Sequence, residues 1–352
     1  MPEASPSTPS DAPFDARALE PYGWDEHWAA RLAGYPDAKP GRVTRHDGSA
    51  LHLATPSGVV VAPLARRLDP APAVGDWIAC EGGEPIAVLP RDSVLRRRAA
   101  DRDTDQVLAT NVDVVFLVCG LDRVVKTGRI DRGATLARDA GATPIVVLTK
   151  AALASEPEVT AAEIAAASPG IEVIVTSARE GVGLDELRDR ARGQTVTMLG
   201  ESGAGKSSLV NALLGEDVAA VGEVRAGDSK GRHTTTARDL HVLPGGGVLI
   251  DTPGIRGVGL WVEPDAVAET FADVDDLAVD CRFTDCLHDT EPGCAVTAAI
   301  EDGRLAPERL AGWRALHDEA ITSPNVAMTY EEARRVKELA RSTRSAERRK
   351  GR

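Results

Sequence analysis

The sequence lacks the features that would place the chain in or across a membrane. No apolar run approaches the roughly 18 residues that a bilayer-spanning helix needs, and the N-terminus has no basic stretch followed by an apolar one. The five cysteines are an odd number, which fits a reducing compartment better than a disulfide framework. These absences predict a cytoplasmic protein that makes no membrane contact.

Positive charge is scarce overall and concentrated at one end of the chain. The formal net charge of −13 argues against a nucleic-acid-binding surface over the whole molecule. Residues 334–352, however, contain nine Lys or Arg and only two Glu. This basic C-terminal tail is compatible with a local contact to RNA phosphates, and a solvated, charge-rich helix is the alternative.

Changes in composition divide the 352 residues into five segments. Residues 1–40 are predicted to be a largely disordered leader, since the first part is rich in Pro, Ser, Ala and Asp. Residues 41–100 contain five short alternating runs, which predict a small β-barrel, with the OB-fold favoured; it would bind nucleic acid or act as a spacer. Residues 101–260 alternate buried strands with helices, as in an α/β domain with a mostly parallel sheet. Residues 261–333 are predicted to be helical, and 334–352 form the basic tail.

A glycine-rich loop in the α/β segment predicts a phosphate-binding site. It fits the pattern G-x-x-x-x-G-K-[ST] and comprises Gly200, Glu201, Ser202, Gly203, Ala204, Gly205, Lys206, Ser207 and Ser208. An apolar run precedes it and a helical stretch follows, which disfavours the alternative of a chance glycine turn. Lys206 is predicted to neutralise the β- and γ-phosphates, and the Ser207 hydroxyl to ligate Mg²⁺.

A second phosphate element lies downstream of this loop. An apolar run ends in the D-x-x-G pattern Asp251-Thr252-Pro253-Gly254. Asp251 would hold Mg²⁺ through water, and the Gly254 N–H would face the γ-phosphate. Between the two elements lies a threonine-rich switch, residues 231–236, whose Thr235 is predicted to bind the nucleotide and its Mg²⁺.

The catalytic residues predicted from these motifs are Lys206, Asp251 and His233. Ile255 stands where many GTPases carry a glutamine that orients the attacking water. Because isoleucine cannot hydrogen-bond to water, slow intrinsic hydrolysis is expected, and His233 in the switch is the candidate that completes the site. The alternative for His233 is an exposed loop histidine without a catalytic part.

Three thiols and one imidazole lie close together near the C-terminus: Cys281, Cys286, His288 and Cys294. Four nitrogen and sulfur ligands with no open position predict a closed, structural Zn²⁺ site. Buried free thiols are the alternative. Cys80 and Cys119 fall in predicted strands and are interpreted as core residues.

Together these motifs resemble the ribosome small-subunit-dependent GTPase A family over about residues 41–345. The matching positions are Gly75-Asp76, Leu89-Pro90-Arg91, Gly203 to Leu209, Gly231 to Thr236, Asp251 to Gly254, Cys281 to Phe283, Asp285-Cys286, His288 and Glu291 to Val296. The resemblance implies an OB barrel, a circularly permuted GTPase domain and a helical zinc domain. It also implies a monomer that binds GTP and GDP with Mg²⁺, carries one structural Zn²⁺, and docks on the small ribosomal subunit and its rRNA. That subunit would stimulate GTP hydrolysis late in its own maturation.

One motif departs from the family pattern N-K-x-D, which is Thr149-Lys150-Ala151-Ala152 in this chain. Ala152 cannot accept the two hydrogen bonds that guanine donates to the missing aspartate. Lys150 can still lie along the base, and Ser177 and Ala178 resemble the loop whose N–H meets the guanine oxygen. Guanine preference is therefore expected to be weakened. Two alternatives stay open: an NTPase of relaxed specificity, and a ribosome-docking paralogue that binds nucleotide weakly and hardly turns it over.

Overall fold

The computed structural model describes residues 14–64, 68–98, 105–216, 218, 238–251 and 264–321. Its N-terminal part is an antiparallel sheet of five strands, β1 (Lys39–His46), β2 (Ala50–Thr55), β3 (Gly58–Pro63), β4 (Trp77–Glu81) and β5 (Glu84–Val88). The spatial order is β3-β2-β1-β4-β5. All five strands coincide with runs predicted from the sequence. Because no register pairs β3 with β5 in the described residues, the closed OB barrel stays a prediction.

Residues 14–40 are folded, so the prediction of a disordered leader reaching to residue 40 is wrong for this stretch. It contains a 3₁₀ helix (Ala16–Tyr22) and α1 (Glu26–Leu32). Trp24 and Trp28 pack against Trp77 of β4, with ring centroids 4.8 and 6.0 Å apart. The burial of these large apolar side chains offsets the entropy lost on ordering the segment. Residues 1–13, where Pro and Ser are concentrated, lie outside the described residues.

A hairpin that the sequence did not predict follows the first sheet. Its strands are β6 (Val94–Arg98) and β7 (Asp105–Thr110), which pair antiparallel. Asn111 follows at a φ of 54°. Its Nδ2 donates to Gly75 O at 3.0 Å and its Oδ1 accepts from Asp92 N at 2.9 Å. The Asn111 amide thus ties the hairpin to the turn before β4.

The next part is an α/β unit, as predicted. Its elements are β8 (Val114–Gly120), α2 (Thr127–Asp139), β9 (Thr143–Thr149), a 3₁₀ turn (Ala151–Leu153), α3 (Pro157–Ala167), β10 (Glu172–Val175), α4 (Leu184–Ala191), β11 (Thr195–Gly200), α5 (Lys206–Leu214), β12 (Asp239–Val242) and β13 (Val248–Asp251). The strand order is β10-β9-β8-β11-β13-β12. All neighbours are parallel except β12 and β13.

Two consequences of this sheet matter for function. Parallel strands end at one edge, so the residues that follow β8, β9, β10, β11 and β13 meet there. At the opposite side of the order, β12 pairs with β1 through Arg45 and Asp239, which joins both sheets into one of eleven strands.

The described C-terminal part consists of short helices, which agrees with the predicted helical character. They are α6 (Pro264–Thr270), α7 (Ala272–Ala278), α8 (Ala295–Glu301) and α9 (Pro307–Ile321). Their shared core includes Phe271, Val274 and Val296, all fully buried. Within the described residues, no helix combines the length and the apolar character that crossing a membrane requires. The tail at 334–352 lies outside the described residues.

Candidate functional site

The glycine-rich loop joins β11 to α5 and has the backbone shape that phosphate binding requires. A Cβ on Gly200 would lie 2.4 Å from Val118 O of β8, so the close approach of the two strands needs glycine there. Gly205 has a φ of 97° and precedes the first residue of α5. The free N–H groups at the start of α5 therefore face the loop, as an anion site at a helix N-terminus requires.

Lys206 and Asp251 place opposite charges beside this loop. Lys206 Nζ donates to Gly200 O at 2.7 Å and to Glu201 O at 2.8 Å. Burial lowers the pKa of Lys206, which Asp251 opposes. Burial also disfavours the charged form of Asp251, which ends β13, and so raises its pKa. The nearby His241 and Lys206 oppose that shift. The predicted phosphate cation and the predicted Mg²⁺-holding carboxylate are thus brought to the same edge of the sheet.

Thr149 and Lys150, from the degenerate base-reading motif, hold the phosphate loop through side-chain hydrogen bonds. Thr149 is 3 % exposed, and its hydroxyl donates to Ala204 O of the loop. Lys150 has a φ of 62°, and its Nζ donates to Gly203 O at 2.6 Å. The segment after β9 therefore contacts the loop through both residues.

The loops that follow β9 and β10 lie side by side. Ala151 N donates to Thr176 O at 3.1 Å, and Ser177 forms a bridge with Val182. Ala152 is exposed and offers only a methyl group where the family motif has a carboxylate. Ala178 lines an open groove beside α5, together with Ser208, Asn211 and Gly215. Of the residues predicted to read the base, Ala178 lines this groove, while Lys150 and Ser177 lie in the two adjoining loops.

Two charged residues at the site were missed by sequence reasoning. Asp122 follows β8, and its Oδ2 accepts from Lys150 Nζ at 2.8 Å. The Arg123 guanidinium, with Lys150, lowers the pKa of Asp122 to about 2. Arg129, in the first turn of α2, pairs with the carboxylate of Glu201 in the phosphate loop. An acidic residue just after a parallel strand was the available signal for Asp122.

The four predicted zinc ligands come together in one cluster. The Sγ atoms of Cys281 and Cys294 lie 3.6 and 3.5 Å from His288 Nδ1 and 3.9 Å from each other, and all four ligand atoms, including that of Cys286, lie within 4.8 Å. A tetrahedral Zn²⁺ with Zn–S bonds of about 2.3 Å requires sulfurs about 3.8 Å apart. The donor set and its spacing therefore fit zinc.

Backbone contacts hold the ligand loop in this shape. Cys294 precedes α8, and its Sγ accepts from Thr297 N at 3.3 Å. Glu291 accepts from the N–H groups of Leu287 and Asp289 at 2.9 and 2.8 Å. His288, 3 % exposed, contacts Trp313 of α9 with a centroid distance of 5.3 Å. The cluster is thus built into the helical part.

Part of the predicted phosphate site lies outside the described residues. This applies to the switch residues His233 and Thr235, to Gly254, and to Ile255. Of the predicted Mg²⁺ ligands, the structure describes Ser207, in the first turn of α5, together with the water-mediated candidate Asp251.

Comparisons with known proteins agree with this assembly. A sequence profile described as RsgA GTPase matches residues 88–261. The small ribosomal subunit biogenesis GTPase RsgA of Streptomyces coelicolor is 46% identical over 316 residues, which cover 86% of this chain and 86% of that protein.

Two solved structures resemble the fold. The crystal structure of YjeQ from Thermotoga maritima aligns with a TM-score of 0.62 and 26% identity, covering 81% of this chain and 99% of that one. The structure of YloQ, a circularly permuted GTPase, aligns with a TM-score of 0.58 and 22% identity, covering 80% and 95%, and shows the fold alone. In this chain too, the loops after β9 and β10, which are predicted to read the base, precede the glycine-rich loop after β11.

Proposed function

The chain belongs to the RsgA GTPase family, and we propose that it hydrolyses GTP to GDP and phosphate while assisting the late maturation of the small ribosomal subunit. The observation that carries this proposal is the meeting of Lys206, Asp251 and the loops after β9 and β10 around the phosphate loop. Assembly of phosphate and base elements at one edge of the sheet is what a nucleotide hydrolase requires.

The described residues of the site take separate parts in this reaction. The N–H groups between Gly200 and Ser208 cradle the phosphates, and Lys206 exchanges its carbonyl partners for phosphate oxygens. Ser207 and Asp251 would hold Mg²⁺, which neutralises charge on the β- and γ-phosphates. Ser177 and Ala178 meet the base beside Lys150.

The switch residues complete the proposal. Thr235 would ligate Mg²⁺, and the Gly254 N–H would face the γ-phosphate. His233 orients the attacking water in place of the glutamine that Ile255 replaces. A water held by one histidine in a switch segment fits slow hydrolysis that a partner accelerates.

A nucleoside triphosphatase of relaxed specificity is the second candidate, and Ala152 favours it. Loss of a charged acceptor for guanine lowers discrimination against adenine.

The third reading, a docking paralogue with negligible turnover, is disfavoured by Lys206, Ser207 and Asp251, because a protein that no longer hydrolyses nucleotide has no need of them.

The remaining parts are assigned roles around this centre. We place an OB barrel at 41–100, the permuted GTPase domain at 101–260 and a helical domain with one structural Zn²⁺ at 261–333. The barrel, the helical domain and the tail at 334–352 contact the subunit and its rRNA, the tail through phosphate charges. The protein acts as a cytoplasmic monomer.

One experiment tests the proposal and its alternatives. Phosphate release is measured for GTP and ATP in parallel, with and without purified small ribosomal subunits. GTP turnover that rises on addition of the subunit supports the proposal. Equal turnover of ATP favours the nucleoside triphosphatase of relaxed specificity, and no turnover under any condition would leave only the docking function.

A further inference from the structure

Helix α2 contacts the phosphate loop at its first turn. Arg129 pairs with the carboxylate of Glu201, and the Glu201 carbonyl accepts from Lys206 Nζ at 2.8 Å. Further along α2, a Cβ on Gly133 would lie 2.7 Å from a methyl group of Leu117, so the helix rests directly on β8. A cavity of about 80 Å³ lies between the first turn and the loop. The Arg129–Glu201 pair borders this cavity and is a direct side-chain connection between the helix and the loop.

The opposite face of α2 is bound to the C-terminal helices. Arg132 makes a two-point ion pair with Glu319 of α9, at 2.9 and 2.7 Å. The Thr135 hydroxyl donates to the Thr270 hydroxyl of α6 at 3.1 Å. These contacts follow one another at helical spacing, so that one face of α2 faces the α/β sheet and another faces the zinc-bearing part.

Arg309 of α9 makes the central contact with this second face of α2. It is 7 % exposed, and its guanidinium bonds Asp131 of α2 at 2.9 Å, Asp273 of α7 at 2.9 Å and Thr270 O of α6 at 2.6 Å. It also lies over the Phe271 ring, 4.1 Å from the centroid. Because a buried charge with several partners is costly to separate, α2 and the C-terminal helices hold a fixed mutual position.

The zinc ligands belong to the same body. Cys281 follows α7, Cys294 precedes α8, and His288 contacts Trp313 of α9. Continuous contacts therefore run from the ligand cluster, through Arg309 and Asp131, along α2 to Arg129 and Glu201.

We propose that α2 positions the phosphate loop from the C-terminal helices, with Arg309 and Arg129 as positioning residues for Glu201 of that loop. The proposal rests on the proposed function, since it concerns how a subunit contact on the zinc-bearing part reaches the nucleotide. It predicts that a change at Arg309 alters nucleotide binding although Arg309 lies outside the nucleotide site.

Arg129→Gln tests the first connection, with binding of a fluorescent GDP analogue as the measurement. Arg129 is half exposed, so we expect the dissociation constant to rise about twofold to fivefold, the scale of one such ion pair. Arg129→Lys keeps the charge and should stay closer to the unchanged protein. Arg190→Gln breaks a comparably exposed pair with Glu172, away from α2, and should leave nucleotide binding unchanged.

Arg309→Lys tests the second connection, because lysine keeps the charge but lacks the planar fork with which Arg309 bonds both Asp273 oxygens together with Asp131 and Thr270 O. We expect a rise in the dissociation constant similar to that of Arg129→Gln. Zinc content and the melting temperature show whether the variant is folded. If it is not, Asp131→Asn takes its place, since it removes the negative charge of the α2 partner and leaves the Arg309–Asp273 pair.

The double variant decides whether both residues act through α2. If they do, Arg129→Gln combined with Arg309→Lys binds nucleotide no more weakly than the weaker single variant. An unchanged dissociation constant in either single variant would overturn the proposal. A double variant whose dissociation constant rises by the product of the two single-variant factors would overturn it as well. GTP hydrolysis is measured in parallel, so that absence of turnover, which refutes the proposed function, is distinguished from absence of this coupling.

Discussion

Replacing Ala152 by Asp should raise the affinity for GTP and GDP and leave the affinity for ATP nearly unchanged. The new carboxylate would accept from guanine N1–H and N2–H, which adenine does not offer in that arrangement. Ala152 is exposed within the 3₁₀ turn after β9, so the added charge is not buried in the nucleotide-free protein. Phosphate contacts are common to both nucleotides and should not change.

The magnitude follows from the exposure of that turn. A charge-assisted two-point contact contributes about 1.5–3 kcal/mol. Because Ala152 faces solvent, we expect the lower part of that range, about 1.5–2 kcal/mol, or roughly a 13- to 30-fold lower dissociation constant for GDP. Thr149 should be left unchanged, since its hydroxyl is bonded to Ala204 O of the phosphate loop and an asparagine there would disturb the site being compared.

Equilibrium displacement of a fluorescent GDP analogue by GTP, GDP and ATP provides the measurement. Ala154→Asp adds the same charge two residues further on and serves as the control. If Ala154→Asp sharpens selectivity equally, general electrostatics explains the effect. If the unchanged protein already prefers GTP over ATP as strongly as the Ala152→Asp variant, another group reads the guanine edge and the reasoning fails.

Three further predictions concern other parts of the molecule. Lys206→Ala should abolish GTP hydrolysis and weaken nucleotide binding, because the transferred phosphoryl group loses its cation; turnover that survives in a phosphate-release assay would remove the loop from the mechanism. Zinc analysis should find about one ion per chain, and chelation should expose three thiols to alkylation. Cys80 and Cys119 are the internal control, because burial raises their pKa values to about 11. Their alkylation at pH 8 in the folded protein should be about 100-fold slower than that of ordinary thiols with a pKa near 9. Truncation after Ala333 should weaken subunit binding and flatten its dependence on salt; an unchanged salt slope in a binding titration would mean that the tail makes no phosphate contact.

The features that sequence reasoning found are those encoded in contiguous residues. The phosphate loop and the zinc cluster each lie within a short stretch, so residue type and spacing determine the chemistry. The presence of strands β8 to β11, with helices between them, followed from alternating apolar and amphipathic runs. In these cases local pattern and global fold agree.

The features that were missed depend on partners far away in the chain. Trp24 and Trp28 become core residues only because Trp77 lies against them, so composition alone indicated disorder. Arg129 and Glu201 meet only because α2 packs on β8, next to β11. Such pairs require the strand order, which single-residue patterns do not contain.

The position of β11 between β8 and β13 has a consequence for synthesis on the ribosome. Because β8 pairs with β9 on one side and with β11 on the other, a nascent chain that ends before residue 195 exposes one open edge of a hydrophobic parallel sheet. The pairing that joins the first sheet to the second forms later still, because the partner of β1 in the second sheet is β12, which begins at Asp239. Permuted motif order therefore delays closure of the nucleotide domain until the chain is more than two-thirds made, and gives it a large share of late, long-range pairings.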